Sequence, residues 1–381
     1  MKAQAAHSVA SGGGTGSAGA ASVPGGAVPG GAVSVGAISS EKTQMFLEAQ
    51  SASDAVRAQL RDDAKEIAAL GAVIRSLAPR AVITCARGSS DHAATYAKYL
   101  IETRARVLTA SAAPSVSSVY GIDQDLRGCL FLAISQSGRS PDLLASVAAA
   151  KDSGATVIAL CNVADSPLVA AADHFVPLRA GPEISVAATK SYLASLAALA
   201  RLVAAWTENA ALQSALNELP ALMDRAWQLD WTGPLALLQT ADHLYVVGRG
   251  LGLGAAQEVA LKCKETCGLH AESFSSAEVR HGPFTLLGPR FPALFLAQND
   301  ATRPGLEALA SELVTRGIPV FIAGASASSR APHILPSLEC AAELGPILAV
   351  QSAYRMIASL AVRRGFDPDR PASLSKVTET L

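Results

Sequence analysis

Short, almost continuously apolar segments alternate with helical segments along most of the chain, and this alternation constrains the fold more than any other feature. In the first half, the pattern predicts strands at 81–86, 106–110, 129–135, 155–161 and 174–178, and helices at 90–103, 140–152 and 187–215. Strands without polar alternation are buried on both faces, which is typical of a parallel sheet covered by helices. The sequence therefore predicts an α/β fold with a mostly parallel, doubly wound sheet.

The same alternation restarts after a polar break near residues 216–218. The second half is predicted to contain strands at 243–248, 292–297 and 319–324, and helices at 251–267, 303–316 and 343–363. "ITCARGSS" (83–90) aligns with "YVVGRGLG" (245–252), and "LFLAISQSG" (130–138) aligns with "ALFLAQND" (293–300) at nearly the same offset. A repeated α/β unit explains this match economically. Two unrelated doubly wound domains are the alternative.

The sequence divides into five segments. Residues 1–40 are rich in Gly, Ala, Ser and Pro and nearly uncharged, which is typical of a disordered leader, and they lack the continuous apolar centre of a signal peptide. Residues 41–78 carry apolar side chains at helical spacing and are predicted to form a helical segment. The two repeats are assigned to 79–216 and 217–363. The tail, 364–381, would on its own be interpreted as a frayed end.

Composition excludes several classes of function. The net charge of −1 provides no global field that would attract nucleic acid or an anionic membrane, and no apolar run reaches the roughly 20 residues of a membrane span. The six cysteines are scattered without a CxxC pair, so we expect reduced thiols in a cytoplasmic protein rather than a zinc site. We predict no metal, no cofactor, no nucleic acid and no membrane partner.

Two serine-rich turns follow apolar strands of the first half. The candidate anion-binding residues in "GSSDH" (88–92) and "ISQSGRS" (134–140) are Ser89, Ser90, Ser135, Gln136, Ser137 and Ser140. Their place at the carboxyl end of a strand and the start of a helix is where open parallel sheets bind ligands and where phosphate is favoured. Each turn alone is also consistent with a simple helix N-cap. Two such turns on neighbouring strands favour a bound monophosphate, since neither is a Walker loop.

A third group of polar residues lies in the second half. Glu258, Lys262 and Glu265 stand at i, i+4 and i+7 and so share one face of a predicted helix. From spacing alone, these three residues are also consistent with a solvated ladder of charges. His281 follows in "RHGPF", where Gly282 and Pro283 prevent a helix and put the imidazole on a turn. A carboxylate base, a lysine and an imidazole suit proton transfer between C1 and C2 of a sugar, without a metal.

These motifs together resemble a known family. "CARGSSDHAATYAKYL", "SQSGRSPD", "EISVAATKSY", "QEVALKCKETCGLHAESFSSAEVRHGP" and "PASLSKVTETL" are similar to the double-domain sugar isomerase (SIS) family. That family includes the isomerase half of glucosamine–fructose-6-phosphate aminotransferase and stand-alone SIS-type glucosamine-6-phosphate deaminases. The resemblance covers about 45–381 and implies two tandem SIS domains, each with a flavodoxin-like sheet.

The resemblance also implies roles for individual residues. The serine-rich turns would hold the phosphate of a sugar phosphate, and Val186 would contact the substrate. Glu265 would be the base for transfer of the proton between C1 and C2, with Lys262 and Glu258 beside it. His281 would open the sugar ring in the site of a neighbouring subunit, which predicts a homodimer. Lys376 would contact or condense with the sugar carbonyl, so that the tail closes the site.

The sequence departs from the aminotransferase pattern at two places. No cysteine precedes Cys85, so we expect no glutaminase domain, and "RGSSDH" replaces the usual Cys-Gly-Thr-Ser type of loop. These departures favour deamination of glucosamine 6-phosphate by water, giving fructose 6-phosphate and ammonia. Galactosamine 6-phosphate or fructosamine 6-phosphate is an alternative substrate. A sugar-phosphate sensor without catalysis is an alternative of another class, and synthesis from free ammonia is the reverse of the same reaction.

Overall fold

The computed structural model of the protein describes residues 39–329, 331, 333–372, 374 and 376. The predicted leader therefore lies outside the described residues, apart from Ser39 and Ser40, as do parts of the predicted tail. The helices and strands of the first half are α1 (Gln44–Gln50), α2 (Ala52–Asp62), α3 (Ala64–Leu77), β1 (Ala81–Cys85), α4 (Ser89–Arg104), β2 (Thr109–Ser111), α5 (Pro114–Ser118), β3 (Cys129–Ser135), α6 (Pro141–Asp152), β4 (Thr156–Cys161), α7 (Pro167–Ala171), β5 (His174–Pro177), α8 (Lys190–Trp206) and α9 (Ala210–Trp227).

The second half repeats this plan, with fewer helices among its described residues. Its elements are α10 (Leu235–Leu238), β6 (His243–Gly248), α11 (Gly252–Cys267), β7 (His270–Ser275), β8 (Ala293–Leu296), α12 (Arg303–Thr315), β9 (Val320–Ala323), β10 (Ile334–Leu335) and α13 (Gly345–Arg363). Short 3-10 helices lie at Ser40–Lys42, Glu278–Arg280 and Pro283–Leu286.

Each half builds one five-stranded parallel sheet. The strand order is β2-β1-β3-β4-β5 in the first sheet and β10-β9-β8-β6-β7 in the second, and the paired strands run parallel. When β6 is matched to β1 and β7 to β2, the two orders are the same. The predicted α/β class with two flavodoxin-like parallel sheets is confirmed, and the shared order supports the predicted repeat.

Alternate residues of the same strand face different cores, which explains why the strands are apolar without interruption. Leu130 and Leu132 of β3 belong to a large central cluster that also contains residues of the second sheet, such as Leu244. Phe131 and Ala133 belong to a smaller cluster on the outer face of the first sheet. Both faces of the strand are therefore removed from water, as is usual for parallel sheets.

Helix α8 fills the middle of the molecule. All its residues except Ala205 are buried, and it packs against α2, α3, α4 and α9. Each fully buried leucine, such as Leu193 or Leu196, contributes about 2 kcal/mol relative to an exposed one. Helix α4 of the first half also packs directly on α11 of the second half. This contact brings the end of β1 next to the Glu258–Glu265 helix.

Two secondary-structure predictions are wrong. The single helix predicted over 187–215 is two helices, because Glu208 adopts a positive φ of 51° and Asn209 caps α9 by accepting a hydrogen bond from the Leu212 N–H at 3.0 Å. The predicted break at 216–218 lies inside α9. Strand β7 was not predicted from the sequence, because this edge strand lacks the continuous buried, apolar run of the central strands.

In the described part of the chain, no helix has both the length and the apolar character that a bilayer span requires. All six cysteines are free thiols. A cytoplasmic location stays a prediction.

The close contact between α4 and α11 depends on Gly254. A Cβ at this position would lie 2.4 Å from the carbonyl oxygen of His92 and 3.0 Å from the backbone nitrogen of Tyr96. We expect Gly254→Ala to lower the free energy of unfolding by about 2 kcal/mol. The added Cβ would clash with backbone atoms, and the cost of this clash exceeds the gain of about 1 kcal/mol from the higher helix propensity of Ala. Denaturant unfolding measures the change.

Gly305→Ala in α12 is the matched control. Its Cβ would meet only the Nη1 atom of Arg249, at 3.6 Å, which is an ordinary contact. This variant should be as stable as the wild type or slightly more stable. Equal stability of both variants would contradict the proposed role of the α4–α11 contact.

Candidate active site

An open cleft of about 420 Å³ lies at the carboxyl ends of β1 and β3. These strands flank the point where the strand order of the first sheet reverses, the usual ligand-binding position in flavodoxin-like sheets. The predicted site residues that line the cleft are Ser89, Ser90, Ser135, Gln136, Ser137, Ser140, Val186, Lys262, Glu265 and Lys376. Residues from both halves and from the tail thus meet in one place.

The loop after β3 is a tight turn that leaves polar groups facing the cleft. Ser135 accepts a hydrogen bond from the Gly138 N–H at 2.9 Å. Gly138 has a φ of 66°, and a Cβ there would lie 2.3 Å from the Oγ of Ser166, so only glycine fits. Pro141 then opens α6, and the side chain of Ser140 makes no capping hydrogen bond. The N-cap interpretation therefore does not account for Ser140.

The first turn has a different connection. Gly88 precedes α4 with a φ of 55°, and the Oγ of Ser89 accepts a hydrogen bond from the Nζ of Lys262 at 3.0 Å. The same hydroxyl donates to the Oε1 of Glu258 at 3.2 Å. Ser89 thereby joins the first half to the charged helix of the second half, while Ser90 lines the cleft.

Glu258 and Lys262 form a buried ion pair rather than a solvated ladder. Their side chains are 0% and 1% exposed, and the Nζ of Lys262 lies 3.4 Å from the Oε1 of Glu258. Glu258 also accepts a hydrogen bond from the Tyr354 hydroxyl at 2.8 Å and lies 3.0 Å from the Nδ1 of His92. A buried charge is tolerable only when it is paired and hydrogen-bonded in this way.

The surroundings of the pair favour its charged forms. Burial by itself would raise the pKa of Glu258, but the charge of Lys262 and the contact with His92 outweigh it and hold the pKa below its ordinary value. Burial would likewise lower the pKa of Lys262, but Glu258 and Glu265 outweigh it and raise that pKa. The side chain behind the cleft is therefore a carboxylate, and the lysine is an ammonium.

Glu265 lies between this buried pair and the cleft. Its Oε2 accepts a short hydrogen bond from the Nζ of Lys262, and its side chain is 22% exposed. Among the described residues that line the cleft, it is the only one with a carboxylate. Glu265 is therefore the described acidic group that a ligand in the cleft can reach, whereas Glu258 lies behind Lys262.

Lys376 of the tail also lines this cleft. Its Nζ donates to the carbonyl oxygen of Ser185 at 2.5 Å and lies 3.8 Å from the Oε2 of Glu183. Burial lowers the pKa of Lys376, although the charges of Glu183 and Glu48 oppose this. A lowered pKa increases the neutral, nucleophilic fraction of a lysine.

His281 does not line the cleft of its own chain. It lies on an exposed turn between the 3-10 helices Glu278–Arg280 and Pro283–Leu286, and its N–H donates to the carbonyl oxygen of Glu278 at 2.8 Å. Within one chain, the structure thus does not bring His281 together with Glu265.

Several residues of the site were missed by sequence reasoning. Arg87, Ser191 and Tyr192 line the cleft, and Arg87 is held by the buried Asp142, with 2.7 Å between its Nε and Oδ2. Arg87 stands inside the quoted "RGSSDH" and could have been found as the arginine of that motif. His92 stands in the same motif, but Tyr354 lies in a distant helix, and no local pattern connects it to Glu258.

The described residues contain no group of three or more His, Cys, Asp or Glu side chains arranged to hold a metal ion. The polar groups of the cleft are hydroxyls, amides, two lysines, an arginine and a carboxylate. This combination suits a phosphorylated, hydroxylated small molecule.

Comparison with known proteins places these features in context. The model of the SIS domain matches residues 78–205 and 237–343. Glutamine–fructose-6-phosphate aminotransferase (isomerizing) of Legionella pneumophila (strain Lens) is 33% identical over 306 residues, which are 77% of this chain and 50% of that protein. The chain thus spans about half the length of the curated relatives it matches.

Two solved structures are also similar. The crystal structure of a candidate phosphosugar isomerase from Silicibacter pomeroyi DSS-3 is 39% identical, with a TM-score of 0.82, and covers 86% of this chain and 100% of that one. The C-terminal domain of glucosamine–fructose-6-phosphate aminotransferase from Francisella tularensis is 26% identical, with a TM-score of 0.75, and covers 86% of this chain and 97% of that one.

The buried pair leads to a prediction about stability. We expect Glu258→Gln to lower the free energy of unfolding by about 3 kcal/mol, because it leaves the buried Lys262 without one of its two carboxylates. Since the folded pKa of Glu258 is lowered, its contribution is present above the ordinary carboxylate pKa and is lost as the pH falls through the folded value. Denaturant unfolding at several pH values should show that the difference in unfolding free energy between the wild type and Glu258→Gln becomes smaller in acid.

Asp125→Asn is the control for this prediction, since Asp125 pairs with Arg127 on the surface, where both side chains are exposed. We expect its unfolding midpoint to stay at the wild-type value. A Glu258→Gln protein as stable as this control would refute the importance of the buried pair.

Proposed function

The chain belongs to the SIS domain family, and from this premise we propose that it is an amino-sugar phosphate deaminase and isomerase. The proposed reaction converts glucosamine 6-phosphate and water to fructose 6-phosphate and ammonia. The observation that supports it most is that one cleft combines the hydroxyl-lined turns of the first half with Lys262 and Glu265 of the second half and with Lys376.

The phosphate is proposed to bind at the serine-rich turns. Ser90, Ser135, Gln136, Ser137 and Ser140 surround the carboxyl ends of β1 and β3, where hydroxyls and loop N–H groups can donate to phosphate oxygens. Ser89 contributes in another way, since its hydroxyl is engaged by Lys262. Val186 borders the same cleft and is proposed to contact the sugar.

The sugar must first open, because only the open chain has an aldehyde at C1 and an acidic hydrogen at C2. A histidine can carry the required proton near neutral pH. We propose that this group is His281 of a second subunit. Lys376 is proposed to contact or condense with the sugar carbonyl, which agrees with its lowered pKa.

Glu265 is proposed to move the proton between C2 and C1. Removal of the C2 proton gives an enolamine, and return of the proton to C1 gives an imine at C2. The ammonium of Lys262 is proposed to stabilise the developing negative charge, and Glu258 keeps that lysine charged and in place. Water then adds to C2, and ammonia leaves to give the ketone of fructose 6-phosphate.

The proposal favours deamination over glutamine-dependent synthesis, because the cleft and water supply all that hydrolysis requires. The similarity to the curated relatives covers about half of each, so a glutamine-dependent activity is not carried over from them. Deamination or deglycation of another amino-sugar phosphate is the nearest alternative within the same chemistry.

Release of ammonia tests the proposed function directly. The purified protein should release ammonia from glucosamine 6-phosphate, and Glu265→Gln should lower kcat by at least about 100-fold, because it removes the base. Galactosamine 6-phosphate and fructosamine 6-phosphate, assayed in parallel, identify the preferred sugar.

Glu272→Gln serves as the matched control for Glu265→Gln, since Glu272 is an exposed glutamate on the neighbouring strand β7. It should keep wild-type activity. Full activity in Glu265→Gln would refute the role of Glu265, and binding without ammonia release from any of the three sugars would favour a sensor.

We further propose a homodimer whose sites are shared. The exposed position of His281, away from the cleft of its own chain, supports this arrangement. Each cleft would then combine Glu265 of one chain with His281 of a second copy.

Mixed subunits test the shared site. Glu265→Gln and His281→Ala proteins should each be nearly inactive, but after dissociation and reassociation together they should recover up to roughly a quarter of wild-type activity, because half the dimers are hybrids with one intact site. Ammonia release from the mixture measures the recovery, and each variant treated alone is the control. Absence of recovery in dimers that have exchanged subunits would argue against shared sites.

A further inference from the structure

The segment 184–186 beside the cleft is held by two acidic residues that lie outside both sheets. Glu48 of α1 accepts hydrogen bonds from the N–H groups of Ile184 and Ser185, the latter at 3.2 Å. The carbonyl oxygen of Asp369 accepts a hydrogen bond from the Val186 N–H at 3.2 Å. Three successive N–H groups of the segment are therefore fixed, two by a side chain of α1 and one by a backbone carbonyl of the tail.

The same two acidic residues are joined to each other through the start of α1. The two carboxylate oxygens of Asp369 accept hydrogen bonds from the N–H groups of Gln44 and Met45, both at 2.8 Å. Asp369 thus ties the tail to α1, and Glu48 ties α1 to segment 184–186. We call this closed set of contacts, formed by residues 44–48, 184–186 and 369, the latch.

The latch is in direct contact with Lys376 through Ser185. The carbonyl oxygen that Lys376 contacts at 2.5 Å belongs to Ser185, whose N–H is held by Glu48. Val186, the next residue, lines the cleft together with Lys376. The position of the lysine amine in the cleft therefore depends on a segment that the latch fixes.

Glu48 is nearly removed from water, so its hydrogen bonds to segment 184–186 must compensate for the loss of hydration. Glu48 is only 6% exposed, and burial raises its pKa even though the Ile184 and Ser185 N–H groups oppose this. Glu183 lies close enough to raise it further, and Lys190 to lower it. Burying a carboxylate is unfavourable unless its hydrogen bonds are made, so the contacts with segment 184–186 offset a real cost.

We propose that Glu48 and Asp369 are positioning residues that hold Lys376 in the cleft through segment 184–186. The inference rests on the proposed function for its catalytic consequence, but the placement of Lys376 can be tested without it. Neither residue touches the substrate in this proposal: Glu48 acts through the Ile184 and Ser185 N–H groups, and Asp369 acts through the Val186 N–H and the start of α1.

The amide variants are sharp tests of the latch. Each carboxylate uses both oxygens to accept backbone N–H groups. An amide of the same shape has one acceptor and would set its NH₂ group against a backbone donor. Glu48→Gln and Asp369→Asn therefore break one hydrogen bond each with almost no change in volume.

The first measurement is the reactivity of Lys376 toward acetic anhydride, followed by mass spectrometry of the full-length protein without ligand. In the variants, the lysine should lose its fixed contact with Ser185, and its labelling rate should change by at least about 3-fold relative to surface lysines, because the burial that sets its pKa and accessibility is altered. In the double variant, the labelling rate of Lys376 should change no more than it does in the more strongly affected single variant, because both substitutions act on the same segment.

The second measurement is ammonia release. Misplacement of a reacting group by a fraction of an ångström to 1 Å lowers turnover strongly, so both variants should lower kcat by at least about 10-fold. The KM for glucosamine 6-phosphate should change much less than kcat, by no more than about 3-fold, because the serine-rich turns proposed to bind the phosphate lie outside the latch and only Val186 of the proposed sugar contacts lies in it. A role in stability alone would not produce this division between kcat and KM.

Glu307→Gln is the matched control, because Glu307 also uses both oxygens to hold a loop, at the N–H and hydroxyl of Ser326 in the second half. Glu307→Gln should change neither the labelling rate of Lys376 nor the release of ammonia. If one latch variant fails to fold, the other carries the test, since each breaks the latch at a different contact.

The outcomes separate the two proposals. Unchanged labelling of Lys376 in a folded latch variant would overturn the inference, whatever the activity. A wild-type protein that releases no ammonia, with the labelling changes as expected, would refute the proposed function and leave the latch supported.

Discussion

The buried contact among Ser89, Glu258 and Lys262 is the interaction on which the rest of the site depends. It forms where α4 of the first half meets α11 of the second, at a crossing so close that Gly254 has no room for a side chain. The pair is far from water, so its charges are stable only while the halves stay together. The same contact turns Glu265 toward a cleft built mainly by the other half.

The two repeats share one strand order but contribute different parts of the site. The first sheet ends in open, serine-rich turns, whereas the corresponding edge of the second sheet is filled by its own side chains. There, Gln298 donates to the Arg249 carbonyl oxygen and to the side chains of Asp300 and Thr302. The remaining cavity is about 40 Å³, too small for a sugar. The second repeat instead supplies the charged helix.

The sheets and the serine-rich turns of the cleft could be predicted from the sequence, because both are visible as short local patterns of apolar or polar residues. The run "CLFLAIS" matches β3 at both ends, and "SQSG" lies at the cleft. The break at Glu208 and Asn209 was missed because a left-handed residue and a cap interrupt a continuous helical pattern. Glu48 and Asp369 were missed for another reason: each meets segment 184–186 from more than 130 residues away. Spacing along the chain cannot reveal such contacts.

The shared buried contact also limits how this architecture can change. Although the two repeats look like interchangeable modules, the buried ion pair of the second repeat depends on Ser89 and His92 of the first repeat for part of its hydrogen bonding. A chimera that joins the first repeat of one relative to the second repeat of another would inherit a mismatched seam unless α4 and α11 came from the same parent. The duplicated sheets can therefore diverge freely at their outer faces, while the seam between them evolves as a single unit.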